Sequence, residues 1–233
     1  MNDEVSIHHI AHRLLSEGAF PHNVTQLELV ETHISWVILT GSFAYKIKKS
    51  IQFDFVDYST LEQRKWFCER EVELNCRFAP ELYLGVVAIS ERDGQAVVGA
   101  EVIANDIKLE SIAIEYAVKM HQFPQSNILA AKVALSLQRD DDRQREVVAV
   151  EKLGQSIAGF HAAAKRANQN GTFATPASIR ADAHDNLALL ETAFAGDKRL
   201  HTLMQLKNWT EARFAELTSV FPIRLRDGWV RLC

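Results

Sequence analysis

The hydrophobic period changes once along this chain, and that change limits the architectures open to it. Residues 27–49, LELVETHISWVILTGSFAYKIKK, are rich in β-branched and aromatic residues, and Gly41-Ser42 is their clearest turn signal. They predict an antiparallel meander. YLGVVAIS (83–90) predicts another strand, Asp93-Gly94 a hairpin turn, and IAIEYAVKMHQF (112–123) a further strand stopped by Pro124. Beyond that point apolar residues recur every three or four positions. Val150, Leu153, Ile157, Phe160 and Ala164 form one stripe over 147–164, and 178–194 and 198–219 predict two more helices. Two helices are expected among the strands. One spans 5–16, with Ile7, Ile10, Ala11, Leu14 and Leu15 on one face and Gly18 as its stop. The other spans 59–78, with Phe67, Glu71, Leu74 and Phe78 at helical spacing. Ser59 or Thr60 caps it, and Glu62 completes a capping box with Ser59. The closing IRLRDGWVRLC alternates around Asp227-Gly228 and predicts the start of a new hairpin. Strands followed by helices give an α+β fold of two lobes: an antiparallel-sheet lobe over residues 1–123 and a helical lobe over 124–233. The joint falls near Met120 to Pro124.

Composition narrows the partners. With 26 basic and 30 acidic side chains the net charge is −4, so no basic excess drives binding to nucleic acid. No apolar run is long enough to span a bilayer, and the acidic, then amphipathic, start lacks the basic and apolar stretches of a signal peptide. The three cysteines, Cys68, Cys76 and Cys233, form no Cys-x-x-Cys pair and read as reduced thiols of a cytoplasmic protein.

Three features then fall in an order that suits phosphoryl transfer. The meander ends in Ala44-Tyr45-Lys46-Ile47-Lys48-Lys49. Alternation puts Tyr45, Ile47 and Lys49 on one face, and Lys46 and Lys48 on the other. A lysine projecting from a strand can neutralise nucleotide phosphates. The next helix carries Glu69, Glu71 and Glu73, any of which can hold such a lysine in place. A strand then leads through a short connector into the helical half, a natural seat for adenine. On composition alone, a solvated edge strand accounts for the lysines and an exposed charged helix face for the glutamates. No Gly-x-Gly-x-x-Gly loop is present. The turn before the meander proper is Glu31-Thr32-His33-Ile34-Ser35, so phosphate binding there would rest on backbone N–H groups and small side chains.

The blocks ETHISWVILTGSFAYKIKK, STLEQRKWFCEREVELNCRFAPELYLGVV and IEYAVKMHQFP, with AGFHAAA (158–164) and RDGWVRLC, resemble a family of bacterial aminoglycoside phosphotransferase-like kinase domains, often fused to a C-terminal P-loop ATPase domain. The resemblance runs through nearly the whole chain. It implies a protein kinase-like two-lobed fold that binds ATP between its lobes and transfers phosphate to a small-molecule acceptor. It implies Lys46 as the lysine on the phosphates, Glu71 as its helix partner with Glu69 as rival, and Met120, Gln122 and Phe123 at the adenine end. Kinases of this type also carry a His-Gly-Asp loop and a second aspartate that hold magnesium and orient the acceptor. In this family that loop follows directly on a stretch like GWVRLC. The 233 residues contain no His-Gly-Asp, His-Arg-Asp or Asp-Phe-Gly. The expectation is therefore an incomplete helical lobe without catalytic or metal-binding residues, lacking useful transferase activity by itself. The other class open to it is a kinase-like module that binds nucleotide or a partner without transferring phosphate. Family members tend to carry aspartate or a similar polar residue at Ser42, and proline near Ser50.

Other features have plainer readings. His8, His9 and His12 lie on one predicted helix, 5–16, that itself carries no acidic or cysteine residue, which argues against a metal site. Asp140-Asp141-Asp142, between Arg139 and Arg143, reads as a solvated turn. His161 reads as an ordinary helix histidine, or as a brace for a catalytic loop. No Gly-x-Ser-x-Gly elbow supports hydrolase chemistry.

Overall fold

The computed structural model describes residues 3–53, 55–101, 113–136, 143–171 and 174–232. Cys233 and Asp140-Asp141-Asp142 lie outside them. The chain divides into two compact units, Met1–Asp140 and Asp141–Cys233. The β-structure of the first unit ends near the expected joint, at His121. A 3-10 turn, Gln125–Asn127, and a helix, Leu129–Ser136, still belong to that unit.

The first unit is an α+β structure built on a six-stranded sheet in which every pairing is antiparallel. Its strands are β1 (Glu28–Glu31), β2 (Ser35–Leu39), β3 (Phe43–Lys48), β6 (Tyr83–Arg92), β7 (Gln95–Glu101) and β8 (Ala113–His121). A small separate hairpin, β4 (Gln52–Phe53) and β5 (Val56–Asp57), follows β3 and has no counterpart in the sequence reading. The order in the sheet is β1-β2-β3-β8-β6-β7. The last strand thus enters between β3 and β6, and the end of β8 is brought beside the start of β3, with Ala44 opposite Met120. Turn chemistry matches the sequence. Asp93 and Gly94 both have positive φ, 50° and 78°, as a type I′ hairpin requires. Gly41 sits at φ 95°, where a Cβ would lie 2.0 Å from the Thr25 hydroxyl oxygen.

Two helices cover opposite faces of this sheet. α1 (Asp3–Arg13) lays Ile10 and Ala11, with Leu14 just beyond it, on a cluster containing Ile38, Tyr45, Ile47, Val87 and Ile89. α2 (Leu61–Cys76) lays Cys68 on a cluster of Val86, Ala88, Tyr116 and Val118. The strand alternation of β3 follows: Tyr45 and Ile47 enter the α1 cluster, whereas Lys46 and Lys48 reach toward α2. Lys49 pairs with Glu31 at 2.5 Å and stands over the Trp36 ring.

The start of α2 differs from the sequence expectation. Thr60 is the cap: its hydroxyl accepts from the Gln63 N–H, and the Gln63 side chain accepts from the Thr60 N–H. The capping box is therefore Thr60/Gln63, not Ser59/Glu62. The buried stripe is Arg64 and Cys68, with Phe78 beyond the helix and half exposed. The stripe was displaced in the sequence reading because its most deeply set members are a charged residue and a thiol.

The second unit contains helices Arg143–Ala163, Pro176–Ala193, Leu200–Leu217 and Val220–Arg226. Thr175 caps the second of these through the Ser178 N–H, with Pro176 at its first position. Leu187 and Leu203 are buried, Lys207 bonds Glu191 at 2.8 Å, and Glu211 takes both Arg180 and His184. His161 lies exposed in the helix Arg143–Ala163. The expected hairpin around Asp227-Gly228 is not formed in that way. Residues 220–226 are helical, and Gly228, at φ 76°, follows the helix end. An Asp-Gly pair suits a helix stop as well as a hairpin turn, and Pro222 sits in the first turn, which tolerates it. The segment after Gly228 pairs with residues 165–167 instead, through Ala167 N–H to Val230 O and Leu232 N–H to Lys165 O.

Candidate functional site

A cavity of about 360 Å³ opens in the first unit, where β2, β3, the end of β8 and α2 converge. Val37, Leu39, Ala44, Leu82 and Met120 give it apolar walls. Lys46 and Glu71 supply its charges, and His121 at the end of β8, with Gln122, Phe123 and Gln125 beyond it, also lines the cavity.

The charged end is an ion triad. Lys46 Nζ donates to Glu71 Oε1 at 2.8 Å, and Lys48 Nζ donates to Glu71 Oε2 at 2.7 Å. Burial falls off toward the cavity: the Lys48 side chain is 3% exposed, Glu71 13% and Lys46 27%. Burial pushes the Glu71 carboxyl upward, but the ammonium groups of Lys48 and Lys46 overcome it and hold the group below the ordinary glutamate range. Burial likewise depresses the Lys48 ammonium, and Glu71 beside it more than compensates, so its pKa lies above the usual lysine value. The Cys68 thiol nearby is pushed up to about 12 by burial and stays neutral.

Glu71 is held by the way α2 is seated. Arg64, seven residues earlier, is buried and donates from Nε to both oxygens of Glu115, at 3.1 and 2.9 Å. Its Nη1 donates to the carbonyls of Tyr58 and Ser59. Glu115 is fully buried on β8 and also accepts the Tyr116 N–H at 3.0 Å. Burial raises the Glu115 carboxyl, and the bonds from Arg64 only partly offset it. This pair ties the helix that carries Glu71 to β8, the strand that carries Met120.

At the other end, the Gln122 side chain is fixed by the Gly41 N–H, which donates to Oε1 at 2.8 Å, and by Gln26, which accepts from Nε2 at 3.3 Å. Gln122 N–H donates to Ser42 O, joining the segment after β8 to the β2–β3 turn. Phe123 is half exposed. In the Thr32–Ser35 turn, Thr32 N–H donates to Ser35 O and Ser35 N–H to the Thr32 hydroxyl, so those two N–H groups serve the turn itself.

Of the residues singled out from sequence, Lys46, Glu71, Met120, Gln122 and Phe123 therefore line one cavity. Glu69 does not: it lies on the outer side of α2 and faces Lys65 at 3.8 Å. Glu73 bonds Arg70. Lys48, Arg64 and Glu115 were not singled out. A usable signal existed for Glu115, a lone carboxylate within the apolar run IAIEYAV, since a buried charge demands a partner.

Comparison with known proteins adds relatives but no activity. An uncharacterized protein of Mycobacterium bovis and two of Mycobacterium tuberculosis are each 30% identical to this chain over 211 residues, covering 88% of it. The chain spans 36% of the length of these curated relatives. No family model matches the chain, and no solved structure matches it. Among the described residues, no helix is long and apolar enough to cross a membrane.

Proposed function

We propose that this chain carries the nucleotide-binding part of an ATP-dependent small-molecule phosphotransferase with a protein kinase-like fold, of the aminoglycoside phosphotransferase-like type. The observation that carries the reading is the Lys46–Glu71 ion pair set at one end of a cavity whose other end is Met120 to Phe123. A flat base fits between Leu39, Ala44, Leu82 and Met120, while phosphates reach Lys46, the charge on the cavity side of the triad. Because the relatives are much longer than this chain, nucleotide binding is proposed for residues 1–233 and phosphate transfer for the whole protein. A small-molecule acceptor and a C-terminal P-loop ATPase domain belong to that same wider proposal, as does a cytoplasmic setting.

Magnesium is the cofactor such a reaction calls for. Among the described residues, those lining the cavity do not fit it: Glu71 is their only carboxylate, and both of its oxygens are bonded to ammonium groups. Binding without transfer is thus the behaviour proposed for this chain, which is also what a kinase-like binding module would show. The test is calorimetric titration of residues 1–233 with ATP, with product formation followed over the same sample. Saturable ATP binding with no released or transferred γ-phosphate is expected. Absence of binding to ATP and ADP would remove the reading.

A further inference from the structure

The sharing of one carboxylate by two lysines goes beyond what a nucleotide cavity needs. We propose that Lys48 is a positioning residue that neutralises Glu71 from the buried side of the triad, so that Lys46 meets the cavity with an uncancelled positive charge and selects a phosphate chain. This rests on the nucleotide reading above.

The geometry separates the two lysines by task. Each takes its own oxygen of Glu71, at 2.8 and 2.7 Å. Lys46 and Glu71 line the cavity, whereas Lys48 does not and is nearly inaccessible. Its ammonium lies 4.9 Å from the Tyr58 ring centre, a contact that also favours a cation there. The triad sums to one surplus positive charge. Of the other charges on α2, Arg64 pairs with Glu115, Lys65 with Glu69 and Arg70 with Glu73, and Glu62 stands in the first turn, about 14 Å along the helix from Glu71. Among the described residues, Glu71 is the one carboxylate of this helix that Lys46 and Lys48 bond, so the surplus stays at the triad.

The consequence concerns the moment a ligand binds. Were Lys46 alone on Glu71, the carboxylate would cancel its charge, and any shift of the ammonium toward a phosphate would weaken the sole ion pair of a largely buried carboxylate, which is costly. With Lys48 in place, Glu71 keeps a partner while Lys46 turns to the ligand. The ligand so favoured is a nucleoside di- or triphosphate over the uncharged nucleoside.

The experiment compares ATP, ADP and adenosine binding to the 233-residue chain in EDTA at fixed ionic strength. The proteins are the native sequence, K48Q, K48R and the double variant E71Q/K48Q. K48Q keeps a hydrogen-bond donor to Glu71 without the charge, and the double variant restores the surplus of one. K48Q is expected to weaken ATP about tenfold or more, the scale of a lost charged hydrogen bond, and to leave adenosine unchanged. K48R should bind ATP like the native chain, and E71Q/K48Q should recover most of the loss. A merely structural Lys48 would lower ATP and adenosine affinity together, with no recovery in the double variant, and that result overturns the proposal. Native-like ATP binding by K48Q overturns it too while leaving the cavity's nucleotide reading intact. Failure of the native chain to bind any of the three ligands removes that reading itself, and the proposal with it. Should K48Q not fold, E71Q/K48Q, which buries no charge at these two positions, carries the test. Its ATP affinity should stay within a few-fold of the native chain's, and a tenfold or larger deficit with adenosine unchanged overturns the proposal.

Discussion

Glu115→Ala should destabilise the first unit by about 3–5 kcal/mol, because it leaves the buried Arg64 guanidinium without its carboxylate. Few single changes in the described residues should cost more. Arg64 would retain only the carbonyls of Tyr58 and Ser59, and α2 would lose its main polar tie to β8. The double variant R64M/E115L should recover most of that loss, since apolar side chains of similar volume avoid the desolvation that both ions suffer. The raised carboxyl of Glu115 has the matching sign: its ionised form is held in the fold at a cost. Urea unfolding of the three proteins at neutral pH is the check. A single variant within about 1 kcal/mol of the native chain would place the pair among solvated surface bridges and remove it as the anchor of α2.

Lys46→Met should weaken ATP binding by about 1.5–3 kcal/mol, the range for a hydrogen bond to a charged group, with adenosine binding unchanged. Glu69→Ala is the control within the same helix. Its carboxylate faces Lys65 and lies outside the cavity, so ATP affinity should not move. Titration calorimetry separates the outcomes. Equal losses for ATP and adenosine in Lys46→Met would mean that the cavity had deformed instead of losing a phosphate contact.

Much of the first unit was legible because its signals are local. The alternation in AYKIKK separated Tyr45 and Ile47 from Lys46 and Lys48, and the sheet obeys it. Asp93-Gly94 and Gly41-Ser42 marked turns, and Asp93, Gly94 and Gly41 take positive φ values that such residues adopt most readily. What was hidden is long-range. Arg64 and Glu115 lie 51 residues apart, and although the apolar run around Glu115 marks a buried charge, its partner emerges only when the strand order sets β8 between β3 and β6. The same crossing strand chose between Glu69 and Glu71, because the seating of Arg64 rotates α2 and turns Glu71 toward β3. Lys48 was placed on the correct face, but its burial depends on how closely α2 approaches. The Asp227-Gly228 misreading has a local cause, since the pair ends helices as readily as it turns hairpins.

The central claim is that nucleotide phosphates meet Lys46. An acyl-phosphate derivative of ATP tests it directly. The amine of the lysine nearest the phosphates attacks the acyl carbon, forming an amide as the acyl–phosphate bond breaks. ATP leaves and a proton passes to the buffer. Peptide mass spectrometry of the labelled chain should find the acyl group on Lys46, with Lys48 and Lys49 unmodified, and excess ATP should suppress the label. Labelling spread over surface lysines and insensitive to ATP would contradict the account.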